Sequence, residues 1–129
     1  MEIIMNAIGT VRTSVEDVPR FYTVSEVEGR LEIDTRYTEG LKDIRAGDQI
    51  VVIFAFHRSP RFRSVNLTQV PPRHSEPRGI FSTCSPVRPN PIGTSVVRVL
   101  AVEGSTLFVK GLDMLNDSPI LDIKPYKTA

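Results

Sequence analysis

Between Gly79 and Gly93 the chain reads Gly-Ile-Phe-Ser-Thr-Cys-Ser-Pro-Val-Arg-Pro-Asn-Pro-Ile-Gly. Pro86, Pro89 and Pro91 each fix their own φ and push the preceding residue toward extended geometry. Asn90 is therefore clamped between two prolines. Glycine at either end permits backbone conformations that other residues avoid. Such a stretch excludes a helix and a central strand. It predicts a rigid loop that presents Ser85, Arg88, Asn90 and several free carbonyls in a fixed arrangement, which is the chemistry of gripping a polar ligand.

Charge adds a second feature. Residues 1–56 hold six basic and ten acidic residues, a net of −4. Residues 57–98 hold seven arginines (58, 61, 63, 73, 78, 88 and 98), no lysine and one acid, Glu76, a net of +6. Residues 99–129 come to −1, so the chain as a whole is +1. The middle third is an all-arginine block inside a nearly neutral protein. Guanidinium forks bind phosphate and carboxylate bidentately and stack on bases, so a polyanion contact and a solvated charged loop are both open readings.

Other chemistry is limited by what is missing from the sequence. Cys84 is the sole cysteine, so no intrachain disulfide and no cysteine-based metal site can form. His57 and His74 have no partner at metal-ligand spacing, and no metal is expected. There is no phosphate-cradling glycine loop, no dinucleotide fingerprint and no nucleophile elbow. The N-terminus lacks a basic region and a cleavage site, and the longest apolar run, Ile50 to Phe56, is far too short to span a bilayer. A cytoplasmic protein with no membrane contact is the expectation.

The elements that must position these residues read as strands. Residues 3–13 are β-branched around Gly9 and predict a first strand. Arg30 to Arg36 alternates Leu31, Ile33 and Thr35 with charged residues, the period-two pattern of a half-buried strand. Tyr37 to Ile44 predicts a short helical turn. Ile50 to Phe56 predicts a central strand buried on both faces, with Phe54, Phe56 and also Phe81 in the core. Residues 58–78 form a long polar connection, of a length usually reserved for function. Ile80 to Thr83 predicts a short strand into the rigid loop. Ser95 to Val102 puts Val97, Val99 and Ala101 on one face, and Thr106 to Leu112 returns as a hairpin after Glu103-Gly104-Ser105. Ile120 to Ile123 predicts a last strand. Residues 1–129 thus form a single all-β domain, a small barrel with short helical turns and long loops.

The stretch Gly79–Gly93, continued by Thr94-Ser95-Val96-Val97-Arg98, closely resembles the signature of the TsaA-like family, the tRNA methyltransferases called TrmO. Ile8-Gly9-Thr10-Val11-Arg12, Glu39-Gly40-Leu41, Phe56-His57-Arg58-Ser59, Val109-Lys110-Gly111-Leu112-Asp113 and Ile120-Leu121-Asp122-Ile123-Lys124-Pro125-Tyr126 extend the resemblance in order along nearly the whole chain. It implies an all-β barrel that binds S-adenosylmethionine without a Rossmann fold. It also implies a homodimer with cofactor clefts near the subunit interface. The implied reaction is methyl transfer to N6 of threonylcarbamoyladenosine beside the anticodon of tRNA. Two alternatives stay open: a methyltransferase of the same fold acting on a small molecule, and a non-catalytic RNA-binding module.

Under that resemblance the cofactor falls to the rigid loop: Ser85, Pro86, Arg88, Pro89, Asn90, Pro91, Ile92 and Gly93. Arg58, Arg61, Arg63, Arg73 and Arg78 are the expected RNA contacts. His57 and Asp113 are the candidates to orient or deprotonate the nucleophilic nitrogen. Each also has a structural reading, such as a turn-capping Asn90, an Arg88 paired with Asp113, a boundary hydrogen bond for His57, or a Cys84 packed as a small core residue. The chain departs from the family pattern in three places. Cys84 stands where arginine is usual, Gly47-Asp48-Gln49 where Phe-Ser-His is usual, and Asn116-Asp117-Ser118-Pro119 where Asp-Gly-Thr-Pro is usual. The second is expected to remove a polar histidine near the site.

Overall fold

The computed structural model describes residues 1–16, 18–19 and 25–127. Eight strands are found there: β1 Gly9–Arg12, β2 Glu28–Ile33, β3 Gln49–Ala55, β4 Thr68–Gln69, β5 Arg78–Gly79, β6 Ile92–Glu103, β7 Thr106–Lys110 and β8 Pro119–Pro125. Six of them close into an antiparallel barrel in the order β1-β2-β7-β6-β3-β8, and β4 and β5 form a separate two-stranded ribbon. Closure comes from β1 lying against β8, with Gly9 opposite Ile120 and Thr10 opposite Pro119. The backbone amides of Ile8 and Val11 continue the ladder, donating to the carbonyls of Ile120 at 2.8 Å and Ser118 at 2.9 Å.

The core follows from alternation along each strand. Ile50, Val52 and Phe54 of β3 point inward, as do Gly93, Ser95, Val97 and Val99 of β6. Leu107 and Val109 of β7, Leu31 and Ile33 of β2, Val11 of β1 and Ile120 of β8 complete the interior, every one of them buried. Barrel closure leaves no free edge in this sheet, so apolar strands can be short without exposing a pairing template. A 3-10 turn over Thr35–Leu41, capped by the Asp34 carboxylate accepting from the Arg36 amide, inserts Leu41 into the core between β2 and β3.

Several expectations change. The first strand begins only at Gly9, and residues 1–7 are exposed and outside the sheet. β3 is buried on one face only, since Val51, Ile53 and Ala55 are half-buried. Every strand of an antiparallel barrel has an inner and an outer side, unlike a parallel strand covered on both faces. Ile80–Ser82 is a 3-10 turn rather than a strand, and it turns Phe81 out to solvent at 78% exposure instead of into the core. β6 starts at Ile92, so the last two residues of the rigid stretch already belong to a strand. Its register against β7 shifts between Val99 and Ala101. The extra residue, Leu100, inverts the alternation, and Val102 rather than Ala101 packs against the core. A second shift, between Ile53 and Phe54 opposite β8, lets Ile120 and Ile123 both reach the core. Neither bulge carries a signal in the local sequence.

Gly93 packs beneath the edge-to-face pair Phe54–Phe56, whose ring centroids are 5.0 Å apart. A Cβ built at this position would fall less than 3.0 Å from ring carbons of both phenylalanines, whereas one at Gly79 would meet nothing within 4 Å. Gly93→Ala is therefore expected to cost about 1–3 kcal/mol through overpacking, and Gly79→Ala to stay within about 0.5 kcal/mol of the parent. Urea denaturation of both variants checks this.

Candidate active site

The antiparallel order collects one set of strand ends at one end of the barrel. These are the carboxyl ends of β1, β3 and β7 and the amino ends of β2, β6 and β8, as the pairs Ala55–Ile92, Phe54–Ile120, Thr10–Pro119 and Glu28–Lys110 require. Each segment singled out for chemistry leaves or enters the barrel there. His57 follows β3 on an exposed turn, the proline-locked loop feeds β6, and Asp113 lies three residues beyond β7.

The loop is tied down on all sides. The Phe56 amide donates to the Pro91 carbonyl at 2.7 Å, and the Ile92 amide to the Asn90 carbonyl at 2.7 Å. Ser59 Oγ donates to the Pro86 carbonyl at 3.0 Å, and Gln69 Nε2 to the Val87 carbonyl at 2.8 Å. Arg88 Nη1 donates to the carbonyls of Thr83 at 3.1 Å and Ser85 at 3.0 Å. Arg88 therefore staples its own loop from within. Ser85 accepts from the Val87 amide through Oγ at 3.3 Å, an ST-turn that sets up the proline run.

Beside this loop lies a cleft of about 390 Å³ lined by Ser59, Pro60, Arg61, Phe62, Arg88, Pro89 and Pro91. It lies within the size range of small-molecule sites, roughly 300–1,000 Å³. Proline rings and Phe62 make its apolar walls, and Arg61 and Arg88 bring guanidinium groups to it. Asn90 is exposed on the loop crest next to it. Arg58, Arg63, Arg73 and Arg78 are also exposed, on the excursion and its ribbon, and outside the cleft lining. Arg73 is held at φ 64°, at the tip between β4 and β5. Ile92 and Gly93 belong to β6, and Gly93 answers to the Phe54–Phe56 packing.

Asp113 is placed by the chain reversal after β7. Gly111 takes φ +100°, a conformation L side chains rarely adopt, and it is buried. The Gly111 and Leu112 amides both donate to the Val27 carbonyl, at 2.9 and 3.1 Å. Leu112 and Met114 are buried on either side. The Asp113 carboxylate accepts a hydrogen bond from the hydroxyl of Ser95, which is fully buried on β6. Alternation did hold a clue to Ser95: it is a polar residue in an otherwise apolar inward row with Val97 and Val99.

The departures from the family pattern find different explanations. Asp117 adopts φ 71° where glycine is usual, and its carboxylate pairs with Arg12. Asn116 Oδ1 accepts from the Thr13 amide at 3.0 Å, and buried Ser118 donates to the Leu115 carbonyl at 2.6 Å. Gly47-Asp48-Gln49 lies at the opposite end of seven-residue β3, roughly 20 Å of strand from this site, and so removes nothing from it. Cys84 is exposed rather than packed as a small core residue. On the neighbouring barrel wall, Arg30 first and then Arg12 hold the Glu32 carboxyl below the usual range. That contribution is present at neutral pH and is lost as pH falls through the lowered value; these side chains are exposed, so it is small.

A closed antiparallel barrel with a stapled, proline-locked loop, a flanking cleft and a hydroxyl-bound carboxylate at one end defines a small β-barrel domain with a cleft at its rim. The chain matches the model of the tRNA-methyltransferase O N-terminal domain over residues 7–129, and it belongs to that family. It is 42% identical over 112 residues to a probable S-adenosyl-L-methionine-binding protein of Pyrococcus abyssi, covering 86% of this chain and 59% of that protein. It is 39% identical over 75 residues to the tRNA (adenine(37)-N6)-methyltransferase of Homo sapiens, covering 58% of this chain and 17% of that one. A crystal structure of TrmO from Pseudomonas aeruginosa superposes with a TM-score of 0.77 at 31% identity, covering 98% of this chain and 55% of that one. The chain thus spans little more than half the length of the archaeal relative and of the solved structure.

Arg88→Ala removes the donor to two loop carbonyls. Hydrogen exchange at the Val87 and Ile92 amides is expected to quicken about tenfold, corresponding to about 1.4 kcal/mol. The amides of β3 and β7 should be unaffected. Unchanged exchange in the loop would mean that the prolines alone hold it.

Proposed function

We propose that this chain is the methyl-transferring barrel of an S-adenosylmethionine-dependent tRNA methyltransferase, acting on N6 of threonylcarbamoyladenosine next to the anticodon. The observation that carries this reading is the convergence of the stapled Ser85–Pro91 loop and Asp113 at one barrel end, in a chain of this family. The names of its relatives support both the cofactor and the tRNA.

The cleft suits the cofactor by its donor set. Apolar walls from Pro89, Pro91 and Phe62 fit a purine face, and Arg88, which also lines the cleft, fits a carboxylate. Loop carbonyls that already accept one hydrogen bond keep a second lone pair, which can turn toward a cationic sulfur. When bound, S-adenosylmethionine supplies an electrophilic methyl group. The chain's own task is then alignment, for which a loop already locked by Arg88, Ser59 and Gln69 loses little freedom on binding. The nucleophilic nitrogen must shed a proton as its new bond to carbon forms. Asp113, or His57 on the turn after β3, accepts that proton in this reading. Arg58, Arg61, Arg63, Arg73 and Arg78 hold tRNA phosphates.

We also read the protein as a homodimer in the cytoplasm. Val65, Leu67, Val70 and Phe81 are exposed apolar residues on the excursion and the loop, which supports a covering partner. Among the described residues no helix is long and apolar enough to cross a membrane. Light scattering should return twice the chain mass of 14.4 kDa.

Transfer of labelled methyl to tRNA is expected only with the threonylcarbamoyl modification present. Cofactor binding without transfer to any tRNA would move the substrate to a small molecule. RNA binding with neither cofactor binding nor transfer would leave an RNA-binding module. Replacing Arg61 and Arg63 together with alanine should lower the slope of log affinity for tRNA against log salt by about 2, if both touch phosphate.

A further inference from the structure

Ser95 has no part in the function as stated so far, yet it is the one polar side chain among the inward-facing positions of β6 from Gly93 to Val99. It is fully buried, and a hydroxyl taken out of water without a partner is costly. An alanine or valine would satisfy the core more simply, since Val97 and Val99 fill the next two inward positions. The hydroxyl instead donates to the carboxylate of Asp113, on the segment after β7.

The geometry on both sides limits motion. β6 at Ser95 is paired with Val52 of β3, deep in the longest ladder of the barrel. Asp113 is carried by the Gly111 reversal, between the buried anchors Leu112 and Met114. The Asp113 side chain is half-buried at this end of the barrel, where the Ser95 hydroxyl restricts its rotamer. A half-buried carboxylate that only capped the turn would not require a donor from the barrel interior.

We propose that Ser95 is a positioning residue: its hydroxyl fixes the rotamer of the Asp113 carboxylate at this end of the barrel. This rests on the reading of Asp113 as the proton acceptor. Ser95 touches neither substrate nor cofactor. It acts by holding Asp113.

The experiment is methyl transfer to modified tRNA by the full chain carrying Ser95→Ala, Ser95→Cys, Ser95→Thr, Asp113→Asn, or Ser95→Ala with Asp113→Asn. Ser95→Ala is expected to lower kcat about tenfold while KM for tRNA and for the cofactor changes less than twofold. Ser95→Cys, nearly the same size with a weak donor, should do the same without leaving a void. Ser95→Thr should recover most of the rate, and the double variant should be no slower than Asp113→Asn alone. Parental kcat in Ser95→Ala or Ser95→Cys overturns the proposal. So do losses that multiply in the double variant, because the two residues would then act independently. A fully active Asp113→Asn overturns the role of Asp113 and the proposal with it, while leaving methyl transfer standing. A parent protein that methylates no modified tRNA defeats the proposed function itself, and this is read first.

Discussion

Closure of the barrel by β1 against β8 is the constraint on which the remaining structure depends. Four consecutive residues, Ile8 to Val11, do it, through pairs at Gly9 and Thr10 and flanking amides at Ile8 and Val11. With the sheet closed, every inward side chain is covered, and Val11, Leu31, Val52, Leu107, Val109 and Ile120 can be fully buried in a chain of 129 residues. An open sheet of the same six strands would expose two edges and half of its core. Closure also decides which strand ends share a rim. Phe56-His57, the proline-locked loop and Leu112-Asp113-Met114 come together only because β3, β6 and β7 are consecutive staves of one barrel, with the excursion of residues 57–91 returning to where it left.

That excursion balances rigidity and reach. Its inner part is held to the end of β3 by the Phe56 amide and stapled within itself by Ser59, Gln69 and Arg88, each donating to a loop carbonyl. Arg58, Arg61, Arg63, Arg73 and Arg78 stand at exposed positions along it, Arg73 in the turn and Arg78 on the second strand of the short β4–β5 ribbon. Fixed geometry suits the alignment of a small cofactor, where misplacement by an ångström is costly. Exposed guanidinium groups suit a phosphate backbone, where strength comes from charge. The same thirty-odd residues therefore supply both.

The residues that replace the usual family pattern show how local chemistry is conserved by other means. Asp117 takes a left-handed conformation that glycine would adopt freely, and its carboxylate gains a partner in Arg12. Asn116 and Ser118 each bond a neighbouring backbone group, so the turn before β8 keeps its shape. Cys84 is different: it is an exposed thiol at a position where the family pattern has arginine.

The sequence by itself determined the class of fold and the character of the loop. Period-two alternation over Ile50–Phe54 and Val97–Val99, hairpin punctuation at Gly104, and prolines at 86, 89 and 91 act within a few residues of where they stand, and local physics is legible locally. Tertiary structure alone decided the rest. Whether β3 is covered on one face or two depends on closure. The bulges at Leu100 and beside Phe54 depend on strand length matching across the barrel, so the faces of Ala101, Val102 and Ile123 could not be read from alternation. Phe81 reads as a core residue by type, but the 3-10 turn after Gly79 leaves it outside the barrel wall. Ser95 lies on β6 and Asp113 on the segment after β7, and only the register between β6 and the end of β7 brings the hydroxyl to the carboxylate. Side-chain pairing across a barrel is a property of register, which no single segment encodes.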